Sequence, residues 1–177
     1  MTRVFLGLGA NVGNREENLR TALRMIEGAC RVVAVSSLYR SMAVVPEGEP
    51  PGPDYLNAAC EVDTALDPTE LLRFVKQVEH DIGRRPAPRW SARPIDIDIL
   101  LYGARVIDTA ELRVPHPLLA ERNFVLVPLA ELAPEAAHPA SGRTIGELAE
   151  DVDLGGLAHL RGPEWAAGGA GADEAAE

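Results

Sequence analysis

Residues 55–62 alternate cleanly: Leu56, Ala58, Cys60 and Val62 fall on one side, and Tyr55, Asn57, Ala59 and Glu61 on the other. That period of two predicts a half-buried strand. Arg3 to Leu8 shows a weaker, β-rich version of the same pattern and predicts a first strand. The period then lengthens. Leu19, Ala22, Leu23 and Ile26 recur at helical spacing after Asn14 and Glu17, a pair resembling a capping box, and Gly28 ends that helix. "RVVAVSSLYRS" reads as a second strand, and "MAVVPEGEPPGPD" as a long loop leading to the alternating strand. Asp67-Pro68-Thr69-Glu70 opens a second helix with an N-cap, a proline at N1 and a glutamate at N3. Its apolar stripe is Leu71, Leu72, Val75, Val78 and Ile82, and Gly83 closes it. After the loop "RRPAPRWSARP" comes a strand from Ile95 to Leu101. "YGARVID" predicts a turn and a short strand, "VPHPLLAERNF" a loop and short helix, and "VLVPLAELAP" and "TIGELAE" further short helices.

The first six elements run β-α-β-β-α-β. Two helices with mainly antiparallel strands predict an α+β, ferredoxin-like sandwich with an extra C-terminal strand and short helices. One domain over residues 1–160 is expected, followed by a disordered, acidic, Gly/Ala-rich tail over 161–177. No stretch approaches the roughly 18 apolar residues that span a bilayer, so no membrane association is expected. Cys30 and Cys60 sit in apolar segments without metal-ligand spacing; buried, reduced thiols in a cytoplasmic protein are expected.

Charge changes the picture locally. The net charge is −10, but residues 147–177 hold eight acids and one base, leaving 19 acids and 16 bases before them. Arg73, Lys76, Arg84, Arg85, Arg89 and Arg93 fall within 21 residues. A basic patch in an acidic chain suits a small anionic ligand better than nucleic acid.

Beside that patch, "RPIDIDILL" places Asp96 and Asp98 on one face of a strand, about 6.5–7 Å apart, with Ile95, Ile97 and Ile99 on the other. Two carboxylates at that spacing can embrace hard cations such as Mg²⁺, which is usually held together with substrate phosphates. A solvated strand face is the bland alternative, but aspartate is disfavoured in strands. Guanidinium forks match phosphate oxygens, and an indole such as Trp90 can stack on a base or an arginine. A solvated basic loop would read the same way. "GLGANVG" does not have the G-x-G-x-x-G spacing of a dinucleotide site, and a tight strand-to-helix turn accounts better for its glycines. His116, between two prolines, is either structural or a phosphate or ribose contact. Tyr55 and Asn57 share a strand face that either reads a heteroaromatic edge or simply meets water. Lys76 and Glu79 stand three apart on the second helix, as a surface ion pair would.

Taken together, "LGANVGNREENL", "SSLYRS", "DYLNAACEV", "GRRPAPRWSARPIDIDILLYG" and "VPHPLLAERNFVLVPLAELAP" resemble the 6-hydroxymethyl-7,8-dihydropterin pyrophosphokinase family over roughly residues 3 to 150. The resemblance implies a ferredoxin-like sandwich that moves a diphosphoryl group from ATP, the co-substrate, to the hydroxymethyl oxygen of the pterin, a step of folate biosynthesis. It implies that Asp96 and Asp98 hold two Mg²⁺ ions, that Arg93 and either Arg84 or Arg85 engage the triphosphate, and that Trp90 rides on a mobile catalytic loop. It places Lys76, Glu79, Trp90, Arg93, Ile99, His116 and Arg122 at ATP. It assigns Ser41, Val44, Tyr55, Asn57, Asp96 and Phe124 to the pterin. Small-molecule partners only, and a monomer, are expected. The chain departs from the family's usual pattern at Ser41, Ala43 and Val45, in a longer linker before Tyr55, and in a catalytic loop one residue shorter before Trp90. Two rival readings remain: a non-catalytic ferredoxin-like domain that binds a regulator, and a family member that has lost turnover.

Overall fold

The computed structural model describes residues 1–168. The elements are β1 (Thr2–Ala10), α1 (Arg15–Glu27), β2 (Arg31–Val35), β3 (Leu38–Ser41), β4 (Tyr55–Thr64), α2 (Pro68–Ile82), β5 (Asp96–Tyr102), a small β6–β7 hairpin (Ile107–Asp108 and Arg113–Val114), α3 (Asn123–Leu132), α4 (Ile145–Asp151) and β8 (Leu157–Arg161). A 3₁₀ helix over Pro163–Ala167 follows. The main sheet runs β5-β1-β4-β3-β8, with β2 also on β4, and every pairing is antiparallel. This is the expected sandwich with its added C-terminal strand. No helix among the described residues is long and apolar enough to cross a membrane.

The alternation read from the sequence sorts the two faces. Leu6, Leu8, Leu56, Ala58, Cys60, Val62, Ile97 and Ile99 pack with Leu19, Ile26, Leu71, Val75 and Val78 of α1 and α2 in the main core. A second cluster joins Phe5, Leu100 and Leu101 to Leu126 and Leu129 of α3 and Ile145 of α4. Cys30 and Cys60 are free and buried, as expected. The capping box of α2 forms in full, with Asp67 and Glu70 each bonding the other's main chain. In α1 half of it forms: Asn14 accepts from the Glu17 N–H, while the Glu17 carboxylate turns to Arg20 and Arg24.

Three expectations need correcting. The second strand is two strands, because Ser36 breaks the ladder; its Oγ takes the Ala59 N–H at 2.9 Å and donates to the Ser37 carbonyl at 2.8 Å. The helix expected within "VPHPLLAERNF" is a turn, and the helix starts at Asn123. The tail does not begin at residue 161. Arg161 ends β8, and Trp165 is 0 % exposed, donates Nε1–H to the Ser36 carbonyl at 2.9 Å and receives Arg20 Nε on its own carbonyl at 2.8 Å. A large indole with a satisfied N–H anchors this segment, which composition alone reads as loose. The rest of the expected tail, 169–177, lies outside the described residues.

Candidate active site

Strand register gathers the polar residues. Tyr39, Asn57, Gly9 and Asp96 form one row across β3, β4, β1 and β5, and Ala59, Gly7 and Asp98 form the next row on the same face. Gly7 and Gly9 therefore lie inside β1, not in the strand-to-helix turn expected of them. A side chain at Gly9 would meet Asn57 Oδ1 at 3.4 Å and the Tyr55 ring at 3.5 Å. Only Gly13, with φ +72°, makes the turn.

Two clefts meet over these rows. One, of about 180 Å³, is walled by Ser41, Val44, Pro53, Tyr55, Trp90 and Phe124, with Asn11, Arg93, Asp96 and Arg122 at its polar end. That volume is below the range for drug-sized ligands and suits one small ring system. The other, of about 400 Å³, is lined by Lys76, Arg84, Arg93, Asp96, Asp98, His116 and Arg122. Arg93, Asp96 and Arg122 belong to both. The expected site residues are thus largely brought together, with apolar and aromatic walls at one end and cations around two carboxylates at the other.

Asp96 is held by Arg84 Nη1 at 2.6 Å and by Arg93 Nη1 at 3.3 Å. Arg85 instead donates to the main-chain carbonyls of His80 and Arg84, so Arg84 is the arginine aimed at the carboxylates. Burial, followed by the charge of Asp96, pushes the Asp98 carboxyl up to about 7. His116 stands across from it, with Nε2 3.9 Å from Oδ2. His116 Nδ1 accepts the Leu118 N–H at 3.2 Å, which leaves the ring proton on Nε2, facing the cleft. Burial and then Arg122 lower its pKa, so the ring is neutral near pH 7. The donor chemistry fits magnesium: two hard carboxylates, one of them short of positive charge, open to a cation-lined cleft. Among the described residues, no group of three or more His, Cys, Asp or Glu forms an all-protein cage, so the remaining ligands of such an ion would come from elsewhere.

Some residues sit differently from expectation. Glu79 is 2 % exposed; its Oε1 accepts from the Ile97 N–H at 2.7 Å and from Arg84 at 2.9 Å, and Lys76 approaches at 3.2 Å. It fastens α2 to β5 and aims Arg84, a buried role that a surface i,i+3 pair does not suggest. Ile99 packs its side chain into the helix-facing core, leaving only its main chain toward any ligand. Asn57 is buried, and its Nδ2 donates to Ser41 Oγ at 2.8 Å, so Oδ1 is the atom left to accept. Trp90, 42 % exposed with φ +70° and Arg89 stacked at 4.9 Å, stands in the wall of the ring cleft rather than among the phosphate-end cations. Asn11 was missed: it lines the ring cleft, and an asparagine directly after a strand reads as part of a turn.

The chain is similar to several known proteins. The sequence model of 7,8-dihydro-6-hydroxymethylpterin-pyrophosphokinase matches residues 5–134. A 2-amino-4-hydroxy-6-hydroxymethyldihydropteridine pyrophosphokinase of Aquifex aeolicus is 40% identical over 87% of this chain and 94% of its own length. One from Synechocystis is 42% identical over 84% of this chain and 75% of its own. The folic acid synthesis protein FOL1 of Dictyostelium discoideum is 37% identical over 88% of this chain, which spans only 23% of that longer protein. Among solved structures, a Plasmodium falciparum HPPK-DHPS superposes with a TM-score of 0.69 at 18% identity, covering 84% of this chain and 44% of that one; this likeness concerns the fold. On the extent of the sequence match, the chain belongs to the 7,8-dihydro-6-hydroxymethylpterin-pyrophosphokinase family.

Proposed function

We propose that the chain transfers a diphosphoryl group from ATP to the hydroxymethyl oxygen of 6-hydroxymethyl-7,8-dihydropterin, giving the pterin diphosphate and AMP, in folate biosynthesis. The alcohol oxygen bonds to the β-phosphorus as the bond from that phosphorus to the α,β-bridging oxygen breaks, and the hydroxyl proton is released. Such transfers depend on positioning and charge neutralisation rather than on a protein nucleophile. The observation that carries the reading is the junction of the clefts at Asp96, Arg93 and Arg122, which would bring an alcohol on a ring in the first against a phosphate chain in the second.

Tyr55 and Phe124 flank the ring, and Asn57 Oδ1 accepts from its edge. Arg84 and Arg93, now paired with Asp96, turn to phosphate oxygens when a triphosphate enters, and His116 donates its Nε2–H to the same chain. Asp96 and Asp98 would hold two Mg²⁺ ions, which when bound would supply positive charge against the phosphates and the leaving oxygen. Trp90 and its loop close the cleft against water, whose attack would waste ATP. We read the working unit as a monomer, since one chain supplies every group assigned here, and as cytoplasmic, in keeping with its free, buried thiols.

The test is AMP release from ATP and Mg²⁺ with and without the pterin. Pterin-dependent AMP that falls by orders of magnitude in Asp96→Asn and Asp98→Asn, with unchanged circular dichroism, is the expected result. Nucleotide binding without AMP would mean a lapsed enzyme, and no nucleotide binding a regulatory domain.

A further inference from the structure

Asn11 stands one residue beyond β1 and is 4 % exposed. Its Oδ1 accepts the Arg93 main-chain N–H at 2.6 Å, and its own N–H donates to the Arg93 carbonyl at 3.0 Å. The side chain thus imitates a strand partner and prolongs the β1–β5 ladder into the arginine loop. The other end of the same amide donates Nδ2–H to the Pro53 carbonyl at 3.3 Å, in the loop that walls the ring cleft. Neighbouring residues of each loop are tied separately to α1: Asp54 by Arg15 at 2.9 Å, and Pro94 by Asn18 at 3.0 Å. Asn11 bonds both loops with one rigid, planar group that carries an acceptor and a donor together.

We propose that Asn11 is a positioning residue that sets the distance between the two substrates. It holds the Pro53 wall of the ring cleft in register with Arg93 at the phosphate end. This rests on the reaction proposed above. Transfer needs the alcohol oxygen and phosphorus within roughly 3–3.5 Å, and a misplacement of about 1 Å costs on the order of a hundredfold in rate. The two loops are separate connections, one joining β3 to β4 and the other α2 to β5; α1 ties a neighbour of each through a different side chain, whereas the Asn11 amide bonds both at once. Aspartate at this position would keep the acceptor for Arg93 and lose the donor to Pro53; alanine would lose both.

The test is steady-state AMP formation by the full chain carrying Asn11→Ala or Asn11→Asp, varying each substrate in turn. Two lost bonds, each about fivefold, give an expected fall of roughly 25-fold or more in kcat/KM for the pterin in Asn11→Ala, with the KM for ATP within threefold of wild type. Asn11→Asp should recover kcat to within fivefold of wild type while the pterin KM stays raised. Should the alanine variant fail to fold, this split in the aspartate variant carries the test. The proposal is overturned if Asn11→Ala leaves kcat and the pterin KM within twofold of wild type. It is equally overturned if both variants lose kcat alike or raise the two KM values in parallel. Wild-type protein that forms no AMP would instead overturn the reaction itself, and the proposal with it.

Discussion

Replacing Glu79 by alanine separates a role in the fold from a role at the ligand. The carboxylate is 2 % exposed and accepts the Ile97 N–H at 2.7 Å and Arg84 at 2.9 Å. Removing it orphans a buried N–H, at about 1–3 kcal/mol, and deletes a hydrogen bond to a charged group, worth about 1.5–3 kcal/mol. Arg84 keeps Asp96 as a partner, and Lys76 is half exposed, so neither becomes a stranded buried charge. These ranges sum to about 2.5–6 kcal/mol; with no charge left stranded the low end applies, near 3 kcal/mol, at the lower edge of the roughly 3–5 kcal/mol that breaking a buried pair costs. For a chain of this size each kcal/mol moves the melting midpoint by about 2–4 °C, so Glu79→Ala should melt roughly 6–12 °C lower. Glu79→Gln keeps an acceptor for Ile97 and should lose about a third of that. Thermal unfolding followed by circular dichroism decides it. An alanine variant melting within 2 °C of wild type, with weakened ATP binding, would refute the fastening role and return Glu79 to the ligand.

Other outcomes follow from the same geometry. Asp98, raised from 3.8 to about 7, keeps a proton in the folded chain that the unfolded chain has lost, so between those values its contribution disfavours folding increasingly as pH rises. Without metal, Asp98→Asn should therefore gain melting temperature over wild type at pH 8 and little at pH 4; an equal gain at both would sink the assignment. In wild type the apparent affinity for Mg²⁺ with nucleotide should climb up to pH 7 and then level, as calorimetry would show. Arg84→Ala should lower kcat by on the order of 10²–10³, whereas Arg85→Ala, which removes bonds to main-chain carbonyls only, should stay within threefold; the reverse order would refute the choice between them. Trp165→Ala should cost about 3–5 kcal/mol in urea unfolding, and a loss under about 1 kcal/mol would show that the indole does not anchor the C-terminal segment.

Much of this was legible in the chain because it depends on local periodicity. The alternation at 55–62, the stripe of α2 and the DxD pair each specify a face, and register then puts the faces together. What escaped depends on partners distant in sequence. Glu79 reads as a surface charge until Ile97 and Arg84 fold over it. Gly7 and Gly9 read as a turn because glycine signals backbone freedom, whereas here what counts is the missing side chain, beneath Asn57 and Tyr55 at Gly9 and against Leu100 at Gly7. Trp165 lies in a stretch whose composition predicts disorder, and a single buried indole outweighs that average. The Ser36 break is invisible because valines and tyrosine on either side carry equal strand propensity.

The seat of Trp165 bears on how the molecule comes into being. The Nε1 bond to Ser36 spans 129 residues, and β8 covers β3 up to Ser41 at the rim of the ring cleft. A nascent chain could assemble the βαββαβ body while β3 still lacked its outer partner, a bare edge open to wrong pairing. The last strand then shields that edge and firms the rim together. Catalytic competence would thus wait on β8, and trimming after residue 152 should yield a shape that is nearly right, sticks to itself and turns over poorly.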